Sequence, residues 1–95
     1  MRQRVHILVE GQVQGVGFRA AALREAERLG LTGWVQNLPE GERVEAEVQG
    51  EEEQVAVFLA FARQGPRAAV VRHVEVDDRP LVEEHGFSVR HPARR

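Results

Sequence analysis

Apolar and polar residues alternate along several short segments of the chain, with the two-residue period of a β-strand that has one face on a core. The alternation is clearest from Val5 to Glu10 and from Val44 to Val48. Apolar residues also recur from Leu31 to Asn37 and from Val70 to Val76, and Phe87 to Arg90 is long enough for one more strand. The pattern predicts four strands and allows a short fifth one.

Two longer segments carry apolar residues at the spacing of an amphipathic helix. The first begins at Phe18 and ends at Gly30, a residue type that often terminates helices. The second follows the acidic run Glu51 to Glu53, which suits the positive end of a helix dipole, and it stops at Gly65. The order is therefore β-α-β-β-α-β. We predict a ferredoxin-like split β-α-β fold, an α/β sandwich with a mainly antiparallel sheet and both helices on one face.

The segments between these elements predict turns and loops. Leu38 to Gly41 has proline and glycine where a turn needs them, and it should join the second and third strands. We expect a loop from Asp77 to Gly86, and we expect Trp34 and the four phenylalanines to lie in the core. His91 to Arg95 follow as a basic tail to which the sequence assigns no role. Residues 1–95 are predicted to form a single domain, because a chain of this length supports one core.

Composition excludes several kinds of chemistry. The chain has no cysteine, lysine or tyrosine, which excludes disulfides, cysteine-ligated metals and Schiff-base catalysis. Its 13 basic residues are all arginine and its formal net charge is −2, which gives no reason to expect a nucleic-acid groove. No apolar run is long enough to span a membrane, and no secretory signal is recognisable. We therefore expect a cytoplasmic monomer that binds neither nucleic acid nor membrane.

The segment from Gly11 to Arg19 places three glycines and an arginine where the first strand passes into the first helix. Glycines can adopt positive φ, so successive main-chain amides can face one concavity, and the helix N-terminus adds partial positive charge. Arg19 adds a planar fork of donors that matches phosphate oxygens. These are features of an anion site, although a glycine-rich turn beside a surface arginine has the same pattern.

Asn37, the only asparagine in the chain, ends the second predicted strand. In a right-handed β-α-β unit the first and second strands run parallel, so their carboxyl ends lie at the same edge of the sheet. Arg19 and Asn37 should therefore lie at one edge, with the third strand between their strands. Ligands often bind at such edges in α/β sheets.

Other motifs carry less weight. Gly15 to Ala20 fits a loose dinucleotide-binding fingerprint, but that fold needs a larger parallel sheet than this order of elements provides. A Walker loop would need a lysine. The four histidines are scattered, without helical pairing or nearby cysteines, so no metal site is predicted. An RNA-binding sheet would need exposed aromatic residues on its central strands, where Glu45 and Glu47 stand.

Two blocks of the sequence closely resemble the acylphosphatase family. The first runs from Glu10 to Arg19 and the second from Gly30 to Gly41, and the similarity extends over nearly the whole chain, through Glu45 to Gly50, the second helix and Gly86 to Arg90. The resemblance implies hydrolysis of small-molecule acyl phosphates, the mixed anhydrides of carboxylic and phosphoric acids, without metal or cofactor.

The resemblance also implies roles for particular residues. In that family the arginine of the first block binds phosphate and the asparagine of the second orients water, which here implies Arg19 and Asn37. The phosphate-binding loop that follows from this comparison comprises Gln14, Gly15, Val16, Gly17, Phe18 and Arg19.

Two other classes of protein fit the same fold. A non-catalytic ferredoxin-like binding or regulatory module would have no reason to combine Arg19 with Asn37. An acylphosphatase-like domain of a larger carbamoyl-handling enzyme would keep the site for another purpose. Because the sequence begins with Met1 and continues past a complete last strand, we expect a stand-alone enzyme.

Overall fold

The computed structural model describes residues 1–39 and 41–91. It contains a five-stranded mixed sheet with the strand order β4-β1-β3-β2-β5 and two helices. In chain order the elements are β1 (Arg2–Gln12), α1 (Phe18–Leu29), β2 (Thr32–Asn37), β3 (Arg43–Glu51), α2 (Glu52–Gln64), β4 (Val70–Arg79) and β5 (Phe87–Arg90). The predicted ferredoxin-like fold is confirmed, and the short fifth strand is formed.

Strand pairing places the carboxyl ends of β1 and β2 at one edge of the sheet. β1 pairs antiparallel with both β3 and β4, and β3 pairs antiparallel with β2. β1 and β2 therefore run parallel to each other, with β3 between them as the sequence predicts. β5 then pairs parallel with β2, from Gly33 opposite Phe87 to Gln36 opposite Arg90.

The core lies between the helices and one face of the sheet. Alternate residues of β1 and β3 are almost fully buried, and each valine or isoleucine placed there contributes roughly 1.5–3 kcal/mol of burial free energy. The buried cluster comprises Val5, Ile7, Val9, Val13, Phe18, Ala22, Ala26, Leu31, Val35, Val44, Ala46, Val48, Val55, Phe58 and Ala62. The apolar residues of the strands and those of the helices therefore pack against each other, as the sequence predicts.

The ends of both helices fall close to their predicted positions. Gly30 follows α1 with a φ of 70°, and its amide reaches the carbonyl of Glu27 at 3.2 Å. This left-handed residue closes the helix at little cost because glycine has no Cβ. Glu52 and Glu53 form the acidic first turn of α2. Neither of the two described helices is long and apolar enough to cross a membrane.

Trp34 is buried on the opposite side of the sheet from the predicted core. It follows the alternation of β2, so it points away from the helices, whereas its neighbour Val35 belongs to the core. The guanidinium of Arg90 lies 4.4 Å from the centre of the Trp34 ring, in a cation–π contact. The prediction that Trp34 is buried is therefore confirmed, but it lies outside the main cluster, because periodicity shows that a residue is buried without showing which face of the sheet it occupies.

The loop predicted from Asp77 to Gly86 is shorter in the structure. β4 continues to Arg79, which pairs with Arg4 of β1, so the loop is confined to residues 80–86. The apolar alternation ends before the strand does, because its last residues are charged yet remain paired. Within the predicted turn from Leu38 to Gly41, Glu40 lies outside the described residues, and the amide of Gly41 donates to the carbonyl of Leu38 at 3.3 Å.

The helix-free face carries a buried polar cluster near the start of β1, which we call the Arg4 cluster. Its members are Arg4, Glu47, Gln49, Val82 and Glu84. Arg4 is 4% exposed, and its guanidinium donates to Glu47 at 2.8 Å, to Glu84 at 2.7 Å and to Gln49 at 3.3 Å. Burial alone would lower the pKa of Arg4, but the two carboxylates outweigh burial and raise it.

Gln49 joins that cluster to the loop of residues 80–86. Its side-chain nitrogen donates to the carbonyl of Val82 at 2.9 Å, and its side-chain oxygen accepts from the Val82 amide at 3.0 Å. Gln49 is also 4% exposed. The Arg4 cluster therefore holds the loop of residues 80–86 against the sheet through hydrogen bonds between protein groups.

A second polar group occupies the middle of the same face. The Glu45 carboxylate lies 2.7 Å from Nε2 of His6 and accepts from the Gln36 side chain at 2.8 Å. Partial burial would raise the pKa of Glu45, but the hydrogen bonds from His6 and Gln36, together with the nearby positive charge, hold it below its usual value. Glu45 is therefore stabilised in its ionised form.

Candidate active site

Residues 13–17 form the loop that connects β1 to α1. Gly15 and Gly17 have φ angles of 74° and 81°, a region that favours glycine. In the part of the chain that the structure describes, the main-chain amides of residues 14–17 donate no main-chain hydrogen bond. The first amides of α1 also have no partner within the helix, as at any helix N-terminus. The loop therefore offers several unused donors beside the positive end of a helix dipole.

Gly11 has a different role from the other two glycines of this segment. Its amide donates to the carbonyl of Glu42 at 2.9 Å, so it is not available to a ligand. The pairing of β1 with β4 shifts register between Glu10 and Gly11, and a Cβ at Gly11 would overlap the carbonyl of Val70. The prediction that all three glycines turn their amides toward one concavity is therefore wrong for Gly11, which serves a β-bulge instead.

An open pocket of about 320 Å³ lies where the loop, the start of α1 and the ends of β2 and β5 meet. Arg19 and Asn37 both line it, so the structure brings together the two residues that the sequence places at one sheet edge. The lining residues are Val13, Gly15, Gly17, Phe18, Arg19, Ala20, Leu23, Asn37, Val89 and His91. One wall is apolar, and guanidinium, carboxamide and imidazole groups provide the polar contacts.

Arg19 is the second residue of α1 and is only partly exposed. Its Nη1 lies 3.3 Å from Nδ1 of His91. Among the described residues, no carboxylate forms an ion pair with it. Its positive charge is therefore not neutralised by a described side chain and is available to an anion in the pocket.

Asn37 is the last residue of β2, where its main chain pairs with Val44 of β3. Its half-buried side chain makes no hydrogen bond to any residue in the described ranges 1–39 and 41–91. A carboxamide has two donors and an acceptor oxygen. Asn37 can therefore bind a water molecule or a ligand without losing an internal contact.

Gln14 and Val16 belong to the predicted loop but do not line the pocket. The side-chain nitrogen of Gln14 donates to the carbonyls of Leu38 at 2.8 Å and Arg43 at 2.9 Å, on the two sides of the β2–β3 turn. Val16 packs against the core. Sequence reasoning missed the Gln14 bonds, which fix the loop relative to the strand end that carries Asn37.

His91 is the pocket residue that sequence reasoning did not identify. It directly follows β5, within the segment predicted to be a basic tail, and residues 92–95 lie outside the described residues. No motif marks it. Only the parallel pairing of β5 with β2 directs this part of the chain toward the pocket.

No group of three histidine, aspartate or glutamate residues that could hold a metal ion occurs within residues 1–39 and 41–91. The positive charge at the pocket comes from the Arg19 guanidinium and the partial charges of the amides. This arrangement can bind a phosphate-sized anion and can hold a water molecule near it.

Comparison with known proteins gives consistent matches. A family model described as acylphosphatase matches residues 5–89. A protein named acylphosphatase from Caldivirga maquilingensis is 53% identical over 89 residues, which cover 93% of this chain and 94% of that protein. The solved structure of an acylphosphatase from Coxiella burnetii matches with a TM-score of 0.89 at 35% identity, over 94% of this chain and 93% of that one.

A larger protein also contains a similar unit. Full-length HypF, solved in a phosphate- and nucleotide-bound form, matches 94% of this chain with a TM-score of 0.83 at 27% identity. The match covers only 12% of HypF. The same arrangement of elements therefore occurs both in small proteins and within a longer chain.

Proposed function

Because this chain belongs to the acylphosphatase family, we propose that its pocket hydrolyses acyl phosphates to a carboxylate and inorganic phosphate. One observation carries the proposal. The Arg19 guanidinium, the loop with its unused amides and the unpartnered carboxamide of Asn37 all border one pocket. The substrate is a small molecule, and the phosphate is the part that these groups recognise.

The loop and Arg19 bind the phosphoryl group. Phosphoryl transfer passes through a loose transition state whose charge is spread over three oxygens, so fixed donors around those oxygens supply most of the catalysis. The amides of residues 14–17 and the first turn of α1 provide donors that need no rearrangement. Arg19 adds a planar pair of charge-assisted hydrogen bonds.

Asn37 holds the attacking water. Its side-chain oxygen accepts a hydrogen bond from the water, which places the water oxygen in line with the bond that breaks. A new bond forms between phosphorus and the water oxygen as the bond between phosphorus and the carboxylate oxygen breaks. The carboxylate is a weak base and leaves without protonation, and the proton of the water passes to a phosphate oxygen of the substrate.

The protein works without a metal or a cofactor in this proposal. The main support is that the positive charge needed at the phosphoryl group is already supplied by Arg19 and the amides. We further propose that the protein is a cytoplasmic monomer of one domain. Size-exclusion chromatography tests the oligomeric state.

A phosphate-release assay tests the function directly. The isolated chain is incubated with acetyl phosphate or carbamoyl phosphate in excess chelator, with Arg19→Ala as the matched control. We expect turnover by the parent that chelator does not reduce and that the control lacks. Loss of turnover that Mg²⁺ restores would contradict the metal-free proposal. No turnover at all would favour one of the two other classes, a non-catalytic module or a domain of a larger enzyme. The match to 12% of the HypF chain supports only the second of these.

A further inference from the structure

His91 makes a specific contact with the arginine of the pocket. Nη1 of Arg19 and Nδ1 of His91 are 3.3 Å apart, and both residues line the pocket. A guanidinium has only donors, so Nδ1 of His91 must accept this hydrogen bond and must carry no proton.

The contact leaves most of Arg19 available to a ligand. A guanidinium has five N–H groups, and one of those on Nη1 is directed to His91. Nε and Nη2 of Arg19 have no hydrogen bond to any residue that the structure describes. His91 can thus restrict a side chain with much rotamer freedom while two other donor nitrogens stay open for phosphate.

We propose that His91 is a positioning residue for Arg19 and, when protonated, a second cation for the phosphate. This inference rests on the proposed function of the pocket. Neutral His91 accepts from Arg19 and holds the guanidinium beside the loop. Protonated His91 has no acceptor nitrogen, so the contact is lost and both ring nitrogens become donors that carry positive charge toward a bound anion.

Few other charges act on this pair. Among the described residues that line the pocket, only Arg19 and His91 have ionisable side chains. β2 contributes the uncharged Asn37, and β5 contributes an apolar side chain. The neighbouring guanidinium of Arg90 lies over Trp34 on the helix-free face. A difference in phosphate affinity between the parent and a His91 variant should therefore come from the side chain at position 91 itself.

Two substitutions separate the two roles of His91. In His91→Asn the side-chain oxygen can still accept from Arg19 but cannot be protonated, and in His91→Ala both properties are lost. The measurement is the competitive inhibition constant of inorganic phosphate in acyl phosphate hydrolysis, at about pH 8 and at about pH 5.5. His85→Asn is the matched control, because His85 is exposed in the loop of residues 80–86 and does not line the pocket.

At about pH 8 we expect His91→Asn to match the parent and His91→Ala to bind phosphate about two- to fivefold more weakly, as for the loss of an exposed polar contact. At about pH 5.5 we expect the parent to bind phosphate about three- to tenfold more tightly than either variant, because imidazole is the only one of these three side chains that can accept a proton. Comparing the proteins at each pH removes the effect of the phosphate's own protonation.

Several results would overturn the inference. Equal inhibition constants for the parent and both His91 variants at both pH values would leave the role of Arg19 intact and remove that of His91. Tighter phosphate binding by His91→Ala at about pH 8 would show that His91 obstructs Arg19. A shift of the same size in His85→Asn would indicate a general charge effect. If the parent itself neither turned over acyl phosphates nor bound phosphate, the proposed function would fail, and this inference with it.

Discussion

The two ends of the sheet contain the same pair of chemical groups in opposite situations. Each end has a guanidinium and a carboxamide, Arg19 with Asn37 at the pocket and Arg4 with Gln49 in the Arg4 cluster. Arg4 and Gln49 are each 4% exposed, and each hydrogen-bonds to several partners in the protein. Among the described residues, Arg19 hydrogen-bonds only to His91, and the Asn37 side chain makes no hydrogen bond.

This difference shows what makes a polar residue available for function. Arg4 is desolvated, and its positive charge is paired with both Glu47 and Glu84, so that removing Arg4 would leave two partly buried carboxylates without their partner. Arg19 keeps its charge and most of its donors open toward the pocket. Availability therefore depends on which hydrogen bonds the fold leaves unmade, and residue type alone does not decide it.

The largest effect is expected at Arg19. Arg19→Ala should lower kcat/KM by about three to five orders of magnitude, as for other arginines that stabilise a phosphoryl transition state. Arg19→Lys should fail almost as badly, since an ammonium cannot form two parallel hydrogen bonds. Steady-state kinetics and phosphate inhibition measure both. A lysine variant with near-normal activity and phosphate affinity would make Arg19 a surface charge only.

Asn37→Ala should separate chemistry from binding. We expect kcat to fall by about two to four orders of magnitude, the range found when a key polar group of a transition state is deleted. Competitive inhibition by phosphate should be almost unchanged, because the loop and Arg19 remain. The melting temperature should stay within a few degrees of the parent. If turnover fell only in step with stability, Asn37 would be a turn residue.

Arg4→Met should lower stability and leave kcat unchanged, the reverse of the result expected for Asn37→Ala. It leaves Glu47 and Glu84 without their partner, and because each of these carboxylates is still 20% exposed we expect the free energy of unfolding to fall by about 2–4 kcal/mol. At a temperature where the variant is folded, kcat should equal that of the parent. Arg2→Met, an exposed change on the same strand, is the matched control in denaturant unfolding. An equal loss of stability in both variants would contradict the role given to the Arg4 cluster.

The smallest effect is expected at Glu45, between the two ends. Its pKa is lowered in the folded protein, so its stabilising contribution is present above the unfolded value of about 4.3 and is lost as pH falls through the folded pKa. The melting temperature of Glu45→Gln should therefore be slightly lower than that of the parent at neutral pH, by an amount equivalent to about 0.5–1 kcal/mol. Thermal scans across acidic pH should show the difference shrinking. A difference that grew toward low pH would contradict the assigned shift.

The sequence predicted the pocket end better than the Arg4 cluster, for a physical reason. Arg19 and Asn37 follow strands whose relative direction is set by the right-handed β-α-β connection, so topology alone brings them to one edge. The Arg4 cluster depends on the register of β1 against β3 and on the path of residues 80–86, which show no periodic pattern. Neither quantity can be read from hydrophobic spacing.

Two side-chain directions also lay beyond the sequence pattern. Gln14 belongs to the phosphate-binding loop that the family resemblance implies, and its side chain turns to the β2–β3 turn. Trp34 is buried as predicted, but on the helix-free face of the sheet, where Arg90 lies over its ring. Side-chain direction and strand register are tertiary properties, so the sequence pattern defined the elements and left these details open.

The central position of β1 also has a consequence for the order of folding. β1 pairs with β3 and with β4, so that Arg4 lies opposite Gln49 of β3 and Arg79 of β4. β2 pairs with β5, which lies near the end of the described chain. These pairings join residues that are distant in sequence, so chain entropy is lost on closing the loop before the stabilising contacts form. Folding should therefore be slower than in a helical protein of similar size. The pocket takes residues from the first loop and from His91. Recovery of turnover during refolding should therefore report the completed topology rather than an early collapsed state.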